Sequence, residues 1–246
     1  MSIRKLRRYV VPMTLAIMAA ATAGSASLAA APASSKPLKI GIVGTGNIGG
    51  TLATHWAKAG HELLLSSRHP EELQALAKSL GPKVRVGTLK EAAAFGDVVL
   101  LSVPYAATPQ IGKDLASTSQ GKIVLDTGNP YPQRDGDMAL EARKKGTGVA
   151  STEFLPGVRL VRAFNAIAQS ALETQANRVG ERYAIPLAGD DAEALAVAQR
   201  LARDAGFDPV VVGDLSHAKE FDVGTAVYTK LLTAAQLRKM LGMPAQ

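Results

Sequence analysis

Apolar positions in this chain fall in short unbroken runs, separated by longer stretches in which they recur at helical spacing. Ile40 to Val43, Leu63 to Leu65, Val84 to Val86, Val98 to Val103, Lys122 to Asp126, Leu160 to Asn165, Ala184 to Leu187 and Pro209 to Val212 each predict a strand. The run through Val98 has no polar alternation, so it reads as a central strand covered on both faces. Between these runs lie helical patterns. One ends at Ala59, where Gly60 suits a positive φ. Another starts at Pro70 with Glu71 and Glu72 in its first turn, carries Leu73, Leu76, Ala77 and Leu80 on one face, and stops at Gly81-Pro82. Lys90 to Phe95 predicts a brief helix, and a further one begins near Ala166. Asp191 caps a helix presenting Leu195, Ala198, Leu201 and Ala202. Gly136 to Lys145 reads as a charged, solvated segment, and Asp222 to Leu241 as a helical tail. Strands alternating with helices predict an α/β fold of Rossmann type. Its sheet is doubly wound and mostly parallel, within one domain over residues 38–246 that includes a small C-terminal extension.

The first strand and helix are joined by Gly44-Thr45-Gly46-Asn47-Ile48-Gly49. This is G-x-G-x-x-G spacing with a strand before it and a helix after. The first glycine permits a tight turn, the second lets backbone approach a pyrophosphate, and the third lets helix and strand pack closely. The helix start offers unpaired N–H groups to an anion. In a complete βαβ unit the pattern predicts a dinucleotide site. The second strand ends in Ser66-Ser67-Arg68, where a chain that prefers NAD usually carries an acid for the ribose hydroxyls. A guanidinium beside two hydroxyls favours a 2′-phosphate instead, hence NADP(H). The bland alternative makes Arg68 a solvated loop residue. Ser102-Val103-Pro104-Tyr105 lies at the carboxyl end of the central strand, where open α/β sheets place ligands. The proline-stiffened loop Thr127 to Pro132 reads as a rim of the same crevice.

Composition changes this picture mainly at the amino end. The chain has 246 residues, 47% hydrophobic and 20% charged, as expected of a globular α/β protein. Its net charge is +7, but Arg4, Lys5, Arg7 and Arg8 supply four of those charges, which leaves too little to argue for nucleic acid. Residues 1–33 read as a signal peptide and 34–37 as a linker. The basic start is followed by an uncharged run from Tyr9 to Ser35, with small-x-small sites at Ser27-Leu28-Ala29 and Ala31-Pro32-Ala33. The strongly apolar part, Val10 to about Ala23, is short for a membrane span. Export to a periplasm or beyond is therefore expected. Arg7-Arg8 leaves the twin-arginine route open beside the general secretory one.

The sequence has no cysteine and no paired-histidine spacing, so no metal site is expected. No G-K-[ST] follows the glycines, which sets aside a nucleotide triphosphate loop, and no Tyr-x-x-x-Lys pair suits a short-chain dehydrogenase. The β-hydroxyacid and pyrroline carboxylate reductases share the first half of the pattern but need a large helical C-terminal domain. The histidines are scattered: His55 falls on the first helix, His61 at a strand entry, His69 at a helix start, and only His217 merits a test.

In order, KIGIVGTGNIGGTLA, LLLSSR, DVVLLSVPY, VRAFNAI, PLAGDD and GDLSHA resemble the deazaflavin (coenzyme F420)-dependent NADP reductase family. They are also similar to the NADPH-binding domain of the six-transmembrane metalloreductases. The resemblance spans about Leu38 to Leu232. It implies a Rossmann domain that transfers hydride between NADP(H) and a flavin-like acceptor. It assigns Thr45, Gly46, Asn47 and Ile48 to the pyrophosphate, and Ser67 and Arg68 to the 2′-phosphate. Val103, Pro104 and Tyr105 fall on the nicotinamide side, and Ala163, Phe164 and Asn165 near the nicotinamide and acceptor. A homodimer is implied by the family alone. The chain departs from the pattern at Arg162, where a small residue is usual, in the tail after His217, and in its export signal.

Hydride transfer between stacked rings can rest on positioning, without a dedicated acid or base. Asn165 is a candidate for a polar edge of the acceptor, or else a cap for the following helix. Two readings follow. One is an exported NADPH-dependent oxidoreductase acting on a small-molecule acceptor, a flavin or deazaflavin. The other is a non-catalytic NADP(H)-binding module that works with a membrane redox partner.

Overall fold

A strand with no polar face must be covered on both sides, and the apolar runs find that cover in one sheet. The computed structural model describes residues 36–245, so the segment expected to be a signal peptide, with its small-x-small sites, lies outside the described residues. Among those residues, the eight strands are β1 (Lys39–Val43), β2 (Glu62–Ser66), β3 (Val84–Val86), β4 (Val98–Leu101), β5 (Ile123–Asp126), β6 (Arg159–Arg162), β7 (Ala184–Gly189) and β8 (Asp208–Gly213). They lie in the order β3-β2-β1-β4-β5-β6-β7-β8. The first six are parallel. β7 pairs antiparallel with β6 through Val161 and Gly189, and β8 runs parallel to β7. The sheet is thus doubly wound and mostly parallel, as expected. Its order reverses between β1 and β4, and the crevice outside the carboxyl ends of such neighbours is where open α/β sheets bind ligands.

The helices are α1 (Asn47–Lys58), α2 (Gln74–Leu80), α3 (Leu89–Phe95), α4 (Thr108–Ser119), α5 (Pro132–Asp135), α6 (Asp137–Lys145), α7 (Thr147–Phe154), α8 (Gln169–Thr174), α9 (Ala192–Asp204) and α10 (Ala234–Met240). One face of the sheet is covered by α1, α2, α8 and α9, through Leu52, Trp56, Ala77, Leu172, Ala198 and Leu201. Trp56 packs edge-on against Phe164 and donates from Nε1 to the Leu201 carbonyl at 2.9 Å. The other face is covered by α3 and α4 through Ala92, Ala93, Ile111 and Leu115, with Leu155 beside them. His61 is 1% exposed; its Nδ1 accepts from Leu38 N–H, so Nε2 carries the proton toward Asp204. Burial holds its pKa below the usual 6.5.

Several boundaries differ from the pattern. Helix α3 begins at Leu89 behind a capping box of Thr88 and Glu91. Pro70–Leu73 forms a 3-10 turn ahead of α2. β4 stops at Leu101 and β6 at Arg162, where the chain turns toward the crevice. The helix expected from Ala166 starts at Gln169, because Phe164 sits at φ 59° and breaks the run. The segment 136–145 is helical, burying Ala139 and Ala142 while its charges face out. The tail is helical only over α10. Upstream, its backbone bonds to other parts of the fold: Thr229 N–H donates to the Ala166 carbonyl, and Leu232 O accepts from Ala184 N–H. Those tertiary partners replace the helical ladder. Among the described residues no helix is long and apolar enough to cross a membrane.

Candidate dinucleotide site

The turn after β1 is held by an inward-facing serine. Gly44 N–H and Thr45 N–H both donate to the Ser66 carbonyl, at 3.1 and 3.0 Å, and Thr45 Oγ1 donates to it as well. Ser66 Oγ donates to the Ile42 carbonyl at 2.7 Å. Ser66 is fully buried, so this sequence candidate braces the turn and does not face the crevice. Gly44 has φ 97°, and a Cβ there would meet the Ser102 carbonyl oxygen at 2.3 Å. A Cβ on Gly49 would meet the Gly44 carbonyl oxygen at 2.1 Å. Gly46, by contrast, has nothing within 4 Å of such an atom and caps α1 with no side chain. The helix therefore presents its unpaired N–H groups to open space, as an anion site requires.

Two hollows meet over that helix start and share Gly46, Ser102, Val103 and Pro104. The first, about 350 Å³, is lined by Gly44 and Thr45 and rimmed by Ser67, Arg68, His69 and Glu72. Arg68 is exposed, and no described residue pairs with its guanidinium. Ser67 Oγ accepts from His69 N–H at 3.0 Å. The second hollow, about 640 Å³, is lined by Asn47, Ile48, Phe164 and Ile167, and its polar wall comprises Asn129, Tyr131, Arg134, Asn165, Gln169 and Tyr228. A larger hollow, about 720 Å³, runs along α10 past Glu181, Asp208 and Arg238 and shares no lining residue with these two. Chemistry selects the pair over the glycine turn, because there the start of α1, which no side chain caps, converges with the Arg68 guanidinium, whereas the start of α10 is closed by the capping box of Thr233 and Gln236.

Phe164 takes a left-handed backbone conformation although it is bulky and buried, a strain that persists where the surroundings fix it. It turns the following Asn165 so that Nδ2 donates to the Phe221 carbonyl at 3.3 Å, while the Asn165 carbonyl accepts from Asn129 Nδ2 at 2.8 Å. Asn165 does not cap α8, whose first turn follows Ala168 without a side-chain bond. The side-chain oxygens Oδ1 of Asn129 and Asn165 are buried with no protein partner. They suit N–H donors of a ligand such as a carboxamide.

Three sequence candidates lie elsewhere. Tyr105 is fully buried against Phe154, with its hydroxyl 3.3 Å from Ser151 Oγ, and burial pushes its pKa up to about 12. It lines neither hollow, because the 3-10 turn after Pro104 directs it into the cluster with α6 and α7. Ala163 belongs to the core, donating from its N–H to the Asp126 carbonyl at 3.3 Å. His217 is exposed and pairs with Asp214 at 3.0 Å, away from both hollows. His69, Glu71 and Glu72 bring ligand-type atoms within 4.8 Å of one another, all exposed, in a helical first turn that favours acids.

Arg162 lies below the crevice, fully buried. Its Nη1 donates to Asp126 Oδ2 at 2.8 Å, and Nη2 lies 3.5 Å from Asp222 Oδ1. Burial works against its charge, but the Asp126 and Asp222 carboxylates outweigh that and raise its pKa. Asp126 also accepts from Ser151 Oγ and from Gly128 N–H, while Asp222 Oδ2 accepts from Thr147 N–H. This buried group ties β5, β6, α7 and the C-terminal segment together beneath the site.

The doubly wound sheet, the glycine turn and the bipartite crevice define a dinucleotide-binding α/β protein. Residues 39–130 match the family described as NADP oxidoreductase, coenzyme F420-dependent. The chain is 30% identical over 196 residues to an F420-dependent NADP reductase of Methanothermobacter thermautotrophicus, covering 74% of this chain and 84% of that one. It belongs to that family and is an NAD(P)H-dependent oxidoreductase. It is also 29% identical over 208 residues to the rat metalloreductase STEAP3, covering 83% of this chain but spanning only 39% of that protein's length. A crystal structure of a hypothetical protein from Sinorhizobium meliloti superposes with a TM-score of 0.67 at 25% identity, over 80% of this chain and 96% of that one.

The residues fit NADP(H), which supplies a transferable hydride when bound. Gly46, Asn47 and the start of α1 would hold the pyrophosphate, Ser67 and Arg68 the 2′-phosphate. Val103, Pro104, Phe164 and Asn165 would border the nicotinamide end.

Proposed function

We propose that this protein transfers hydride between NADP(H) and a flavin- or deazaflavin-like small molecule, after export directed by residues 1–33. The unpaired Arg68 guanidinium carries the cofactor half of the reading. It borders the first hollow, which joins across the glycine turn to a second one large enough for a further ring. The second hollow has both apolar walls for ring faces and polar atoms for ring edges, the composition expected of a small-molecule site. The Methanothermobacter relative is named an F420-dependent NADP reductase, and this chain's second hollow is the place we assign to such an acceptor.

The likeness to part of a metalloreductase favours one other reading, a nucleotide-binding module that works only with a membrane redox partner. Stopped-flow oxidation of NADPH by the full chain, with F420 or FMN present, separates the two. Catalytic turnover with either acceptor supports the reductase. Tight NADPH binding without turnover supports the module.

A further inference from the structure

The polar wall of the second hollow contains a pair of phenols, one from the loop 127–132 and one from the C-terminal tail. The hydroxyls of Tyr131 and Tyr228 are hydrogen-bonded to each other across 97 residues of sequence. Both rings line the hollow beside Phe164 and Asn165. Asn129 Nδ2 donates to the Asn165 carbonyl at 2.8 Å and to the Tyr228 hydroxyl oxygen at 3.3 Å. Either hydroxyl can donate in that pair; when Tyr228 donates to Tyr131, the Tyr131 hydrogen has no acceptor among the described residues and can point into the hollow.

Three further contacts fix Tyr131. Its backbone N–H donates to Asp135 Oδ2 at 2.9 Å, and Asp135 is buried. Arg134 makes a bidentate pair with that carboxylate, through Nε at 2.8 Å and Nη2 at 2.8 Å. The guanidinium carbon lies 5.1 Å from the centre of the Tyr131 ring. Asp135, Arg134 and the Tyr228 hydroxyl together hold the Tyr131 ring and its hydroxyl at the wall of the hollow.

We infer that Tyr131 is the proton donor of the reaction, and that the acceptor is therefore a two-electron acceptor whose reduction leaves a basic ring nitrogen or carbonyl oxygen. The inference rests on the hydride-transfer reading above and specifies its substrate class. The acceptor gains a hydride from NADPH, and its electron pair moves to the conjugated heteroatom. The Tyr131 O–H bond breaks, its proton joins that heteroatom, and the phenolate regains a proton from water. In sum NADPH, acceptor and one proton become NADP+ and the dihydro-acceptor. Tyr228, polarised by Asn129, is a positioning residue that directs Tyr131. Tyr228 itself is kept neutral, since burial and then its bond to Tyr131 raise its pKa.

The test is single-turnover oxidation of NADPH by the full chain with FMN, F420 or menadione as probe acceptor, in H2O and in D2O. The NADPH dissociation constant is read separately by fluorescence. Tyr131→Phe is expected to slow acceptor reduction by about 10²-fold or more. The solvent isotope effect should disappear while NADPH affinity stays within about twofold of the wild type, since a hydroxyl outside the phosphate-binding turn adds little to it. Tyr228→Phe is expected to give a smaller loss and to retain the isotope effect. A Tyr131→Phe variant with wild-type rate and isotope effect overturns the inference and leaves the reductase reading standing. Reduction of menadione but neither flavin-type probe, with the same Tyr131 dependence, overturns the flavin-type acceptor and supports the proton donor. No reduction of any probe by the wild type overturns both.

Discussion

Asp126→Ala is expected to lower unfolding stability by about 3–5 kcal/mol, because it strands a buried arginine. Arg162 has no exposure, and its shortest ionic contact is the 2.8 Å bond to Asp126. Asp222, at 3.5 Å, would be left to balance the charge alone. The same substitution removes the acceptor for Ser151 Oγ and for Gly128 N–H. That second loss loosens the loop that carries Asn129 and Tyr131, so acceptor reduction should fall along with stability. Urea unfolding supplies the check. Adding Arg162→Met to Asp126→Ala should recover much of the loss, since an apolar replacement of the whole pair leaves no uncompensated charge. A single variant within about 1 kcal/mol of wild type, the worth of an ordinary hydrogen bond, would mean that Arg162 finds its balance elsewhere.

Gly49→Ala is expected to disable the site while leaving most of the sheet intact. The new methyl would lie 2.1 Å from the Gly44 carbonyl oxygen, a backbone atom that cannot swing aside. Either α1 moves off β1, or the turn opens. Overpacking of this kind costs about 1–3 kcal/mol of stability. The larger effect falls on function. A helix start displaced by about 1 Å misplaces the cofactor and costs on the order of 10²-fold in kcat/KM. Gly46→Ala is the control, since nothing lies within 4 Å of its added methyl. It should unfold like wild type and lose affinity only as far as the methyl crowds the pyrophosphate. Wild-type kcat/KM in Gly49→Ala would show that the close approach of α1 to the turn is not what shapes the site.

The sheet was legible because its strands are unbroken apolar runs, and burial on both faces demands such runs. The capped helix α9 and the glycine turn were legible for equally local reasons: Asp191 accepts from Ala194 N–H, and Gly44 occupies a positive φ. Helix α4 was missed although Ile111 and Leu115 have helical spacing and Pro109 lies in its first turn, a signal that was there to be used. Helix α7 gave no such signal. It packs through small residues, and Gly148 lies so close to the Leu215 carbonyl that an added Cβ would be 2.4 Å from it. In the site, Ser67, Arg68, Val103, Pro104 and Asn165 follow from motif position. Tyr105 does not, because whether a residue after a strand faces the crevice or the core depends on the turn it enters. Tyr228 and Arg134 could not be read locally at all. The tail from Asp222 looks helical, and only tertiary hydrogen bonds to Ala166 and Ala184 place Tyr228 against Tyr131.

Arg68 offers the most direct test of NADP(H) use at this site. NADPH and NADH binding to the full chain should be compared by fluorescence titration, with Arg68→Ala alongside. A charge-assisted contact to a 2′-phosphate is worth about 1.5–3 kcal/mol, so NADPH is expected to bind about 10- to 100-fold more tightly than NADH. Arg68→Ala should erase that preference while leaving NADH binding unchanged. Equal binding of the two nucleotides by the wild type, or binding of neither, would contradict the assignment.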